Sequence, residues 1–254
     1  MTGFLVFIGK ESREILLTWR IWVLPGILLL FAVSGPLLAR FTPQLVEVAV
    51  GNGQLYGFKI PQPTYLDAYV QWLKSLSQIV QLALIIVYGS VVSGEIKSGT
   101  AVLMLTKPLS RTAFVVAKAV VHCAFLAALV VAGTLITWGL TAIIFGNAPG
   151  SALWSATIAW LVLGVLFIAL MTLLSTLIGS AAGAAGAGLG VYALLLIAAI
   201  WKPLGTYSPA ALTTQASSLA AGKSVDVLWP VLTSLVVAAA CVALAGQLFR
   251  YRDL

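Results

Sequence analysis

Six stretches of almost unbroken apolar sequence constrain this chain more than any motif in it. Each is about twenty residues long or more, the length at which a helix crosses the hydrocarbon core of a bilayer. They predict spans over 19–39, 73–94, 119–145, 153–178, 182–201 and 227–249, and so an all-α polytopic membrane protein with six transmembrane helices. Only 8% of the 254 residues are charged, against about 25% in soluble domains. The segments between the spans are too short for a large soluble domain, and therefore too short for an ATPase.

In a soluble protein the formal charge of +7 would point to nucleic acid. Here the basic residues stand at the ends of apolar runs, as membrane topology arranges them, and no nucleic-acid partner is expected. With both termini and segment 95–118 in the cytoplasm, that side carries Lys10, Arg13, Arg20, Lys97, Lys107, Arg111, Lys118, Arg250 and Arg252. The other side carries Arg40, Lys59, Lys74, Lys202 and Lys223. The excess follows the positive-inside rule and predicts a multi-pass protein of the cell (inner or plasma) membrane with both termini cytoplasmic. Cys123 and Cys241 both lie in apolar runs, so neither a disulfide framework nor a zinc spacing is present. The N-terminus has no basic region ahead of its apolar stretch, and no cleaved signal peptide is expected.

Residues 1–18 place Phe4, Leu5, Ile8, Ser12, Ile15 and Leu16 on one helical face, with Lys10, Glu11, Arg13 and Glu14 elsewhere. That pattern suits an interfacial helix; the plainer alternative is an extension of the first span. Segment 40–72 is the longest polar stretch. Alternation in 45–50 and 54–60 around Gly51-Asn52-Gly53 predicts a small hairpin, and 64–72 an external helix leading inward. It reads as a folded external loop, with substrate gating or docking of an external accessory protein as its functional alternatives. Residues 202–226 form a second external loop.

In the second span Lys74, Gln78, Gln81 and Tyr88 fall at i, i+4, i+7 and i+14, on one face of a helix of ordinary period. Polar groups at that depth need partners or water. Gln78, Gln81 and Tyr88 therefore either line a translocation path or bond to neighbouring spans. His122 lies one turn beyond Lys118 and is expected to bond to a neighbouring helix or the headgroup region. The glycine-rich run 179–188 reads as a tight turn followed by a small-residue helix face. Its Gly179/Gly183 and Gly186/Gly190 pairs have the spacing for close helix approach.

Catalytic equipment is missing from the sequence. Gly222-Lys223-Ser224 resembles the end of a phosphate-binding loop, but Ser217 stands where the first glycine belongs and no buried strand precedes it. One histidine and no paired intramembrane carboxylates leave no hydrolytic site, and the Met, Cys and His residues are too dispersed for a metal path. No catalytic, cofactor or metal site is expected in this chain.

The remaining feature is Glu95 to Lys118, EIKSGTAVLMLTKPLSRTAFVVAK, the longest charged and turn-rich interruption that still looks folded. Ser98-Gly99-Thr100 supplies a bend, Pro108 breaks any continuous helix, and Ser110 can cap the next one. A short helix between two spans results. Glu95, Gly99-Thr100, an apolar run, Lys107-Pro108-Leu109-Ser110-Arg111 and Lys118 together resemble the cytoplasmic signature of type-2 ABC exporter permeases, such as those for multicopper-enzyme maturation, sodium or drug export. The motif covers about a tenth of the chain, and the six-span layout extends the likeness to its whole length.

The resemblance implies a cytoplasmic coupling helix between spans 2 and 3, with Glu95, Gly99, Thr100, Val102, Leu103, Leu105, Lys107, Pro108 and Arg111 as ATPase-coupling residues. Glu95 would pair with Lys97, Arg111 or a partner residue. It further implies two copies of a separate ABC ATPase subunit that bind ATP and Mg, and a second permease chain, a homodimer being the simplest case. The apolar walls suit export of a hydrophobic or amphipathic substrate. A different class remains open, an ATP-independent membrane carrier or a scaffold. A carrier would need buried ionisable groups or broken helices, and the sequence suggests no buried ionisable groups.

Overall fold

The computed structural model describes residues 2–18, 20–50, 62–100 and 110–251. Among them every regular element is helical. An N-terminal helix α1 (Thr2–Leu17) leads into α2 (Arg20–Val50), the first crossing. The second crossing is made of α3 (Tyr65–Ser75), a π-helical turn over Leu76–Val80, α4 (Gln81–Tyr88) and the short α5 (Ser93–Lys97). Then come α6 (Arg111–Phe145), α7 (Ser151–Leu177) and α8 (Ala181–Ala198). Two short helices, α9 (Leu204–Tyr207) and α10 (Leu212–Ala220), precede the last crossing, α11 (Leu228–Tyr251). Six of these segments are long and apolar enough to cross a membrane, which makes this a multi-pass membrane protein.

The fourth crossing, α7, is the centre of the bundle, packed by α3, α4, α6, α8, α10 and α11. In its most apolar window 61% of residues are buried, against 17% for α8 and 28% each for α2 and α11. Those three helices therefore turn most of their apolar surface outward. Aromatic side chains fill the interior: Trp72, Trp160, Tyr69, Phe114, Phe167 and Phe249 are all fully buried. The Trp72 indole N–H donates to Thr134 Oγ1 (3.3 Å), and its ring occupies the space where a Cβ on Gly133 would stand. A buried indole with its donor satisfied packs as a hydrophobe at little polar cost.

Several boundaries differ from the sequence reading. The first helix does not stop near residue 39. It continues through Pro43 to Val50, so 45–50 is helical and not one arm of a hairpin; the turn at 51–53 and the other arm, 54–60, lie outside the described residues. Extending the helix lets that backbone bond to itself without needing a partner strand. The external helix foreseen over 64–72 is the start of the second crossing itself. Thr64 and Asp67 form a capping box, with the Thr64 N–H and hydroxyl both donating to Asp67 Oδ2 (2.7 and 2.9 Å). The third crossing starts at Arg111, eight residues before the predicted 119, capped by Ser110, whose hydroxyl accepts from the Ala113 N–H (3.1 Å). Lys118 thereby falls inside the helix.

The amphipathic reading of α1 also changes. Phe7, Glu11 and Ile15 are its buried residues, while Val6, Leu16 and Leu17 are exposed. Glu11, placed on the polar side by the sequence reading, lies in the stripe that faces the bundle. In the glycine-rich run, Gly186 and Gly190 have open space around them; the close approaches are at Gly183, against the capping Ser180, and at Gly188, against Met171 and Ile85. The Gly222-Lys223-Ser224 tripeptide follows helix α10. Gly222, at φ +75°, is its Schellman cap: Gly222 N–H donates to Leu219 O and Lys223 N–H to Ser218 O.

Candidate functional site

Three elements converge at the end of the bundle that holds the N-terminus, and five charged side chains meet there. Lys118, on α6 and 1% exposed, is the centre. Its ammonium donates to Glu11 Oε1 and Oε2 (3.0 and 2.9 Å) and to Glu95 Oε1 (2.5 Å). Lys10, half-turned to solvent, donates to Glu11 (3.0 Å) and Glu95 (3.2 Å) and pairs with Glu14. Thus α1, α5 and α6 are pinned to one another by a single clasp. Each ion is costly to bury alone; interleaved carboxylates and ammoniums at hydrogen-bond distance offset that cost. Three carboxylates against two ammoniums leave one formal negative charge.

Glu11, Glu14 and Glu95 present oxygens within 4.8 Å of one another, a grouping that can hold a metal ion. The two ammoniums already stand among those oxygens, so the geometry is that of an ion-pair network. Burial pulls the Lys10 ammonium down, but the hydrogen bond to Glu14 and the charges of Glu95 and Glu11 together outweigh it and hold Lys10 above the ordinary lysine value. The ammonium is charged throughout the physiological range.

Glu95 therefore pairs with Lys118 and Lys10, not with Lys97 or Arg111 as the sequence suggested. This also corrects the expectation that no ionisable group is buried: Glu11, Glu95 and Lys118 all are, at one end of the bundle and away from its middle. The signal was weak. Glu11 is one carboxylate among polar neighbours on a short helix, and only its i−4 and i+4 companions Phe7 and Ile15 hint that it points inward.

Beyond the clasp, Gly99 turns the chain at φ +72°, a conformation that suits glycine. Thr100 Oγ1 donates to Glu95 O (3.4 Å) and lies 2.9 Å from Ser98 Oγ. Val102, Leu103, Leu105, Lys107 and Pro108 lie outside the described residues. Where the chain resumes, Arg111 donates to the carbonyls of Phe249 and Arg250 (3.4 Å each). It brings a cation to the C-terminal end of α11, where the helix dipole favours one. Both flanks of segment 100–110 are thus tied to transmembrane helices. Inside the bundle, Ser175 Oγ of α7 accepts from the N–H groups of Val92 and Ser93 (3.1 and 3.0 Å), holding the turn that ends the second crossing.

The polar face predicted along the second span is split. Lys74 and Gln78 are exposed, whereas Gln81 and Tyr88 are buried. The cause is the π-turn at Leu76–Val80: its wider turn delays the helix and rotates everything after it relative to everything before. A spacing argument based on 3.6 residues per turn has no access to that insertion. The Tyr192 hydroxyl donates to Ser77 O in the same turn (2.5 Å). Tyr88 packs edge-on against His122, with ring centroids 4.9 Å apart. Neither amide atom of Gln81 has a hydrogen-bond partner among the described residues.

Comparison with known proteins adds a family and no activity. A model for "Protein of unknown function (DUF2705)" matches residues 54–254. The chain belongs to the DUF2705 family. No curated protein matches it. Most of the DUF2705 match is crossings two to six, so the clasp joins a family segment, through Glu95 and Lys118, to a helix α1 that lies before the matched region.

Proposed function

We propose that this DUF2705 protein is the membrane-spanning permease subunit of an ATP-binding cassette transporter, exporting a hydrophobic or amphipathic substrate. Separate ATPase subunits, two per complex, bind and hydrolyse ATP with Mg. This chain carries no catalytic step, and a second copy completes the path. It sits in the cell membrane with both termini and the segment between the second and third crossings in the cytoplasm, and its external loops are available to an accessory protein.

The observation that carries this reading is the clasp. A coupling segment must pass a push from the ATPase to several helices at once, and a flexible attachment would absorb the push. Here the chain just ahead of the segment is bonded through Glu95 to α1 and α6, and the residue just after it, Arg111, is bonded to the end of α11. Force applied between them would reach α1 and the second, third and sixth crossings directly.

Affinity purification of the full chain from its native membrane tests this. A nucleotide-binding subunit should co-purify, and its ATP turnover should respond to substrate in the intact chain. Lys118→Met should weaken that response while leaving the subunit bound. Transport by the purified chain in vesicles without any nucleotide would instead establish the carrier reading, and purification with no nucleotide-binding protein would remove the proposal.

A further inference from the structure

At the end of the bundle away from the clasp, a cleft of about 340 Å3 opens between the last part of α2 and the start of α3. Thr42 and Pro43 line one wall; Asp67, Val70, Gln71 and Lys74 line the other. Asp67, Gln71 and Lys74 fall at i, i+4 and i+7, so they form one stripe on α3. That stripe looks out of the bundle, since Ala68, Tyr69, Trp72 and Leu73 take the buried positions. Lys74 makes no ion pair and no hydrogen bond among the described residues. In a segment that crosses a membrane, such a cation needs an anion or water.

Two further features narrow what would satisfy it. The first is the order of charges. α3 runs inward from its capped start, which puts Lys74 ~10 Å deeper than Asp67 at 1.5 Å per residue. Asp67 uses Oδ2 for the helix cap, and its other oxygen has no partner among the described residues. A phospholipid headgroup bearing an amine has the same order, phosphate nearer the bilayer centre and ammonium nearer water. The second is the surface below. Past Gln78 the exposed stripe of the second crossing turns apolar, with Ile79, Leu82 and Ile86 exposed, and Leu37 and Leu38 exposed on α2. A molecule whose polar part sits at Lys74 would lay its chains there.

We propose that this cleft binds a zwitterionic, amine-bearing phospholipid headgroup, with the phosphate on Lys74 and Gln71 and the ammonium toward Asp67. The charge order matches such a lipid in whichever leaflet this end of the bundle lies. The inference stands on the cleft alone; it rests on the transporter reading only in naming that lipid class as cargo.

The delipidated full chain, titrated in detergent with phosphatidylethanolamine, phosphatidylglycerol or free O-phosphoethanolamine and read by native mass spectrometry, tests it without any ATPase. Phosphatidylethanolamine should bind best. Lys74→Gln should weaken it about tenfold, the scale of one lost charge-assisted hydrogen bond. Asp67→Asn should reduce phosphatidylethanolamine binding to the level of phosphatidylglycerol without weakening the latter. Lys74 is exposed, so its substitution leaves the fold intact. Equal binding of the two lipids to the unaltered chain, or an unchanged Lys74→Gln variant, would overturn the site. Equally tight O-phosphoethanolamine would overturn the lipid assignment. Failure here leaves ATPase co-purification untouched, and absence of an ATPase leaves the lipid result standing.

Discussion

Replacing Lys118 by methionine removes the centre of the clasp with little change in side-chain length. Glu11, 1% exposed, loses the ammonium that bonds both of its oxygens, and Glu95 loses its shortest contact. Removing one partner of a buried ion pair costs about 3–5 kcal/mol. Lys10 remains 3.0 Å from Glu11 and 3.2 Å from Glu95, so the lower end of that range, about 3 kcal/mol, is expected. For a chain of this size the loss lowers the apparent melting temperature by ~6–12 °C. Heating the purified protein in mild detergent while a thiol-reactive fluorophore reports on Cys123 and the buried Cys241 measures it. The decisive comparison is the triple variant Glu11→Gln/Glu95→Gln/Lys118→Met. It removes the buried charges together, leaves Lys10 paired with Glu14, and should recover most of the lost stability, because neutral replacement of a whole buried ion pair is often close to neutral. A single variant that melts like the unaltered protein, or a triple variant that melts as low as the single one, would refute the clasp.

Three other outcomes follow from the packing and the charges. Gly89→Ala brings a Cβ to 2.7 Å from Ala181 O and 3.2 Å from Ala185 Cβ; backbone cannot yield cheaply, so a loss of about 1–3 kcal/mol is expected, whereas Gly186→Ala, inside a helix with nothing within 4 Å, should not lower melting. Gln81→Leu removes a buried amide that lacks a partner among the described residues and should stabilise the isolated chain by about 1–2 kcal/mol; lower stability would mean that water or a ligand satisfies Gln81. The folded Lys10 pKa is raised above its ordinary 10.5, so its contribution is complete below that pH and is lost only as pH rises through the higher folded value. The melting difference between the unaltered protein and Lys10→Met should therefore stay constant from about pH 7 to about pH 10; a difference that shrinks within that window would show that Lys10 does not hold its carboxylates.

The six crossings were legible because hydrocarbon demands long apolar helices, and that demand leaves a mark no local detail can hide. What the sequence concealed was register. The π-turn at Leu76–Val80 has no composition signal in LSQIV, yet it separates Gln78 from Gln81 and breaks the face that spacing alone assembles. The continuation of α2 past Pro43 was hidden for a related reason: proline and alternating residues read as a loop, while the helix only has to forgo one hydrogen bond there. Glu95 and Lys118 stood out in sequence, but their tie through Glu11 spans 107 residues and depends on which way α1 turns, which a short mixed helix does not reveal.

The same departures from regular helix say where the second crossing can yield. Its outer end is fixed by the Thr64–Asp67 capping box and by Trp72 against Thr134; its inner end is fixed by Ser175 and the clasp. Between them the α-helical ladder is interrupted twice, by the π-turn at 76–80 and by the turn at 89–92. Regular helix transmits a push as a rod, and interruptions are where it bends. In an ATPase-driven mechanism, displacement at residues 95–100 would therefore be taken up around α4, the segment that carries Gln81 and Tyr88. Burying Gln81 without a partner costs about 1–3 kcal/mol in this arrangement, and a rotation of α4 that brought the amide to water or to a second copy would recover that cost. In such a mechanism the amide, without a partner among the described residues, would bias the crossing toward the movement that the clasp would drive.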